Sequence, residues 1–354
     1  MDPASLIPPP EAIPLAAGWL RWLLLATFLL HILAMNLMLG GSIMALAHSL
    51  GSSSPAGTDH DIALKLPYTL AFTVNLGVPP FLFLQLLYGQ FLYTSSVLMA
   101  SWWICLFLVV MAAYYAAYVY DFKFAALGRA RALVIGLAVA LLLWAGFLLT
   151  NNMTLMLNPP AWTAHLDDPG GRLLNLGDPS LAPRYLHFVA ASLAVAGLGL
   201  ALWGRWRWLR GEPKGAEQTR QGLRWFQGAT LAQLAVGLWF LFRLPEPIRG
   251  LFLGRDPAHT LILWLGVGAA LLALLLAWRR RPLGAALALL PALLLMVLTR
   301  DGLRQACLAP YFSLASLPVE PQYGPALIFA ACLGLALLLV AWLLKQAWRA
   351  RRES

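Results

Sequence analysis

The stretch "LLATFLLHILAMNLMLGG", residues 24–41, decides the fold class: its only polar side chains are Thr27, His31 and Asn36. It belongs to an apolar run over about 22–47, long enough at about 1.5 Å per residue to cross a hydrocarbon core about 30 Å thick. Comparable runs recur at about 66–88, 95–119, 130–150, 184–204, 224–243, 259–278, 283–299 and 324–344. The composition agrees, because 60% of the 354 residues are hydrophobic and only 11% charged, where soluble domains hold about 25% charged residues. In lipid, only helices and closed barrels satisfy every backbone group, and nothing here alternates with the roughly ten-residue segments of a barrel. The expected fold is all-α: a polytopic transmembrane bundle of about nine helices.

The net charge of +10 is a matter of topology and not of nucleic acid. With the N-terminus outside, 17 of the 25 basic residues fall in inside segments, among them the 205–224 cluster, Arg279 to Arg281 and the tail from Lys345. That bias predicts an outside N-terminus and an inside C-terminus, with no nucleic-acid partner. The opening "MDPASLIPPPEAIPL" carries no basic residue and does not read as a secretory signal. Cys105, Cys307 and Cys332 are too scattered for a disulfide framework, and the absence of C-x-x-C-H excludes covalent c-type haem attachment. "RGEPKGAEQTRQG" (210–222) reads as an inside basic linker and hinge, dividing helices one to five (1–209) from helices six to nine (223–354). No internal repeat is visible, which argues against an inverted-repeat transporter.

Ionisable groups inside spans are costly and mark function or a partner. His31, some nine residues or about 14 Å below the outer end of its run, joins His187, His259 and Asp301 in the outer half of four different spans. His48 falls at the inner end, His60 in an inside loop and His165 in the outside loop 151–183. Imidazole is a common axial ligand of haem iron, and propionates favour guanidinium partners near the membrane surface. Arg184, Arg243, Arg249, Arg255, Arg300 and Arg304 supply these on the outside segments. Each position also has a plainer reading. A lone histidine can bond across helices, small residues such as Ala190, Ala191, Ala194 and Gly197 can serve packing, and arginines can meet lipid headgroups. The shared depth is what favours haem.

The order of these features resembles subunit I of the cytochrome bd-type quinol oxidases. "HILAMNLMLGGSIMAL" (31–46) is similar to that family's first helix, whose histidine ligates a haem. "NLGVPPFLFLQLLYGQF" (75–91) is similar to its second, with Gln85 where the family has a glutamate. "LTNNMTLMLNPP" (149–160) followed by "YLHFVAAS" (185–192) resembles its asparagine-proline loop and the fifth-helix histidine of its low-spin b haem. "RDGLRQA" (300–306) resembles a worn glutamate-x-glycine-arginine-glutamine-proline motif, with Asp301 at the haem-ligating acid and Arg304 and Gln305 kept. The chain departs from the family in three places. Its loop 244–258 is short where the family has a long quinol-binding loop. Trp264 replaces the methionine that completes the low-spin haem, leaving His259 as an unaligned substitute. The acidic residues of the third helix have no counterpart in "TSSVLMASWWICLFLVV".

The resemblance implies a b-type cytochrome subunit of a bacterial inner membrane, holding two or more haem b groups. It would move electrons between membrane quinol and an outer-face acceptor, such as a c-type cytochrome or a partner subunit. His31, His187 and His259 are the implied iron ligands, with Asp301 opposite or near His31. Arg249, Arg255, Arg300 and Arg304 are the implied propionate partners, and Gln85 and Gln305 tune potential by hydrogen bonds. The alternatives are a haem-poor scaffold anchoring a respiratory complex, and a bd-like terminal oxidase.

Overall fold

A computed structural model describes residues 3–51, 61–62, 65–166 and 169–353 of the chain. Among them, nine helices are long and apolar enough to cross a membrane. They are α1 (Ala17–Gly51), α2 (Leu66–Leu98), α3 (Ala100–Phe122), α4 (Arg131–Met156), α5 (Leu181–Leu209), α6 (Lys214–Arg243), α7 (Pro257–Trp278), α8 (Pro282–Leu308) and α9 (Tyr323–Glu353). Most are apolar all round, as helices solvated by lipid are; large side chains such as Ile104, Phe107, Leu261 and Leu287 point outward. The chain is therefore an all-α helical bundle and an integral membrane protein. The only β feature among the described residues is an isolated bridge between Ile13 and Val319.

Alternation of the helices gathers two sets of connections. The first face carries the N-terminal segment and the 157–180, 244–256 and 309–322 connections. It is tied together by Ile13 N–H donating to the Pro318 carbonyl (2.9 Å), Ser101 N–H to Gly171 (2.9 Å) and the buried Trp162 indole to Leu155 (2.8 Å). The second face carries the 123–130, 210–213 and 279–281 connections. His60 lies outside the described residues.

The helices overrun the apolar runs that announced them. Hydrocarbon dictates only the central apolar residues, whereas hydrogen bonding continues until a turn or proline stops it. α1 starts at Ala17 and continues to Gly51, which places His31 fourteen residues, about 21 Å, from its first-face end rather than about 14 Å. α8, expected to be short, has 27 residues. α2 tolerates Pro79 and Pro80 inside it and departs from helical geometry at Tyr88 (φ −140°, ψ 27°).

The segment 210–222 differs from its expected role. Only 210–213 forms a turn, and α6 begins at Lys214. Gly211 takes a positive φ (82°) in that turn, but Gly215 and Gly222 serve close packing rather than flexibility. A Cβ added at Gly215 would lie 2.5 Å from the Gly204 carbonyl oxygen, and one at Gly222 would lie 2.4 Å from Ala201 N. α5 and α6 thus form the most extensively paired helices of the molecule, so the boundary expected at 210–222 falls inside a tight hairpin. Arg207 locks its end, binding Asp61 and Glu212 at 2.5 Å each, while Gln218 donates to Asp61 at 2.7 Å.

α9 is the exception to this packing. No residue of its most apolar stretch is buried, and among the described residues it makes no substantial contact with the other helices.

Candidate functional site

The segment "RDGLRQA" near the first-face end of α8 is a hub, because successive side chains leave the helix in different directions. Arg300 stacks its guanidinium over Phe28 of α1 (4.4 Å). Asp301, 1% exposed, accepts from Arg21 of α1 at 2.7 Å, from Arg304 at 3.1 Å and from Gln305 at 2.8 Å. Gly302 abuts the ring of His259 on α7. Arg304, 5% exposed, lies over Tyr88 of α2 (5.1 Å). One two-turn stretch therefore joins α1, α2 and α7, and it does so through charge held away from water.

Each of the three expected iron ligands sits against a glycine of a neighbouring helix. A Cβ at Gly77 would fall 2.9 Å from His31 Cε1, one at Gly237 would fall 3.1 Å from His187 Cε1, and one at Gly302 would fall 2.7 Å from His259 Cδ2. Glycine there leaves room for an imidazole inside the interface. The rings differ in what holds them. His31 Nδ1 is 3.1 Å from the Thr73 carbonyl oxygen. A carbonyl can only accept, so Nδ1 carries the proton and Nε2 keeps its lone pair. His259 Nδ1 lies 2.9 Å from Asp256 Oδ1. His187 is arranged the other way, with Nε2 3.4 Å from Gln233 Nε2 and Nδ1 buried without a partner among the described residues.

The levels of these groups follow from helix register. α1 and α5 run parallel, and the contact of Gly40 with Ser192 sets their register. His31 is then level with residue 183, about four residues or 6 Å along the axis from His187. Asn36, fully buried, falls at the level of His187, and among the described residues neither its amide nitrogen nor its oxygen has a partner. Thr230 Oγ1 on α6 is likewise buried and unbonded. Unmet polar atoms buried in a native protein are rare and call for a water or a ligand.

The first-face connection before α7 carries the remaining expected arginines away from the hub. Arg255 forms an ion pair with Glu246, and Arg249 donates to the Phe242 carbonyl at 3.3 Å; both bonds are at the exposed surface. Gln85 is half-buried on α2, one turn before Tyr88. Asp256 caps α7, and the His259 backbone N–H (2.9 Å), with the imidazole beside it, holds its carboxyl below the ordinary carboxylate range.

Haem fits the histidines unequally. A metal-ligating histidine normally donates its other ring N–H to a carbonyl or carboxylate, which is the arrangement of His31. His259 Nδ1 lies near Asp256 but makes no hydrogen bond among the described residues, and His187 would first have to release Gln233. Asp301 has both oxygens committed to Arg21, Arg304 and Gln305, so it stands as a counter-ion and not as a free ligand.

Sequence reasoning did not find Arg21, Thr73, Tyr88 or Asp256. Arg21 was visible as a charge within an otherwise apolar helix start, and Asp256 as a capping residue before Pro257. The Thr73 contact uses a backbone carbonyl and leaves no mark in the sequence.

No protein-family profile matches the chain, and no curated protein is similar to it in sequence.

Proposed function

We propose that this chain is a membrane-embedded b-type cytochrome subunit, transferring electrons between membrane quinol and an acceptor at the first face, such as a c-type cytochrome, in a bacterial inner membrane. The observation that carries the reading is His31, whose Nδ1 is fixed by the Thr73 carbonyl while its Nε2 lone pair remains free against Gly77. His31 is the ligand best prepared for iron; His259 follows with its ring beside Asp256, and His187 once Gln233 moves aside. Haem bound there would supply one-electron transfer, chemistry that belongs to the cofactor. The chain's own part is to set tautomer, depth and charge. Thr73 holds the His31 proton on Nδ1. Asp301 keeps Arg21 and Arg304 in place, and Arg300, stacked on Phe28 beside His31, adds positive potential that favours electron acceptance nearby.

Replacing His31 by Ala tests this assignment. The protein should still insert, because one half-buried side chain is removed from a long apolar helix, and it should lose one haem equivalent with the corresponding reduced-state absorption band. Unchanged haem content in His31→Ala would exclude this ligand.

A second reading, a haem-poor scaffold anchoring a partner complex, is favoured by the paired state of Asp301 and by the Gln233 contact of His187. Under it, the same substitution alters thermal stability or assembly with no spectral change.

A further inference from the structure

Between the first-face ends of α4, α5 and α8 lies a shallow open cleft lined by Met153, Met156, Leu157, Arg184, Arg300 and Arg304. Its polar lining consists of three guanidiniums. Arg304 shares the Asp301 carboxylate with Arg21. Among the described residues Arg184 and Arg300 form no ion pair; their faces rest on Phe240 (4.9 Å) and Phe28 (4.4 Å). The Nε of Arg184 is buried without a hydrogen-bond partner. Asp178, in the preceding turn, is engaged by the Asn175 amide (3.2 Å) and the Ser180 N–H (2.7 Å). Two guanidiniums thus share the Asp301 carboxylate, while Arg184 and Arg300 face the cleft with only the Asp178 carboxylate nearby in the preceding turn.

Burying charge without compensation costs several kcal/mol per ion, so such a cluster is stable only with an anion at hand. The forked N–H groups of arginine match a phosphate's oxygens in pairs. The space beside these guanidiniums is a shallow cleft open to its surroundings, so an anion would dock at its mouth and not be enclosed. It opens near the first-face helix ends, with Arg184 in the first turn of α5 and Met153 and Met156 in the last turn of α4, and Met153, Met156 and Leu157 supply an apolar wall beside the guanidiniums.

We infer that Arg184, Arg300 and Arg304 form a phosphate-binding site, filled by the phosphate of an acidic phospholipid headgroup from the first-face leaflet. The site shares Arg300 and Arg304 with the haem reading but involves no histidine, and Arg184 belongs to it alone.

The test is thermal unfolding of the full-length protein in phosphatidylglycerol nanodiscs against phosphatidylcholine nanodiscs, and in detergent with inorganic phosphate against chloride at equal ionic strength. Wild type should melt several degrees higher in phosphatidylglycerol, because a ligand that binds only the folded state raises the melting temperature. Arg184→Gln should abolish the difference. Arg184→Lys, which keeps the charge but loses the fork, should retain part of it and guards against a fold that simply fails. A shift produced by inorganic phosphate in detergent, without one from phosphatidylglycerol, would assign the site to the free ion. No shift from either, or an equal shift in Arg184→Gln, would overturn the proposal. So would an Arg184→Gln protein that loses haem while its lipid response persists.

Discussion

His31 raises the question of why an imidazole sits in a helix made for hydrocarbon, and the surrounding atoms give it a directed role. Its Nδ1 meets a carbonyl made by the α2 backbone, so substituting the Thr73 side chain would leave the contact, whereas filling the space at Gly77 would not. Gly77→Ala should displace the ring and lower haem retention, measured as haem bound per chain, with a smaller effect on folding. Asp301 is paired with Arg21, Arg304 and Gln305, which gives two readings of it opposite outcomes. As an iron ligand its loss would alter a spectrum; as the buried counter-ion of Arg21 and Arg304, its loss leaves charges unpaired. Asp301→Asn should therefore destabilise the protein by about 3 kcal/mol or more, read as a fall in melting temperature, with the haem bands kept in whatever fraction remains folded. Asp256 carries a pH dependence whose sign is fixed. Its carboxyl is held below its ordinary value of 3.8 by the His259 N–H. Its stabilising effect is therefore complete above that value and is lost as pH falls through the depressed one. Hydrogen exchange in the first turn of α7 should accelerate only in that acidic window, and Asp256→Ala should show the faster exchange at neutral pH.

Among the elements, α5 and α6 show most clearly how glycine carries two meanings. In "RGEPKGAEQTRQG" the glycines, proline and charges suggest a flexible linker, yet Gly215 and Gly222 lie where two helix backbones touch. The Cβ they lack would strike backbone atoms, which cannot swing aside as side chains do. Gly222→Val should separate the hairpin and abolish folding, seen as loss of the monodisperse detergent-solubilised protein. Gly228→Ala, where nothing lies within 4 Å, should be neutral or slightly stabilising. The helices themselves were legible, since a run of about twenty apolar residues matches the thickness of a hydrocarbon core and would be insoluble exposed to water. Their ends were not, because capping and turn geometry lie outside the apolar signal. The hub on α8 was legible as an unusual cluster, "RDGLRQA", but its connections were not. Which way Asp301 faces depends on Arg21, 280 residues earlier, and no local pattern encodes that pairing.

For the whole molecule, the basic residues crowd the second face, while the first face holds the histidine-bearing helix ends and the arginine cleft. The positive-inside rule predicts that the second face is the inner one. A cysteine at Ala125, in the turn after α3, should react with an impermeant thiol reagent only in inside-out vesicles. One at Leu176, in the 157–180 connection, should react only in right-side-out vesicles, and the reverse pattern would invert the topology. The electron-transfer proposal stands or falls with a bound haem, and its most direct test is the dithionite-reduced minus air-oxidised visible spectrum of the purified, haem-replete protein, with a pyridine haemochrome assay for stoichiometry. A b-type cytochrome subunit should show b-type bands with about two haems per chain. A colourless protein would contradict that reading and leave the membrane scaffold in its place.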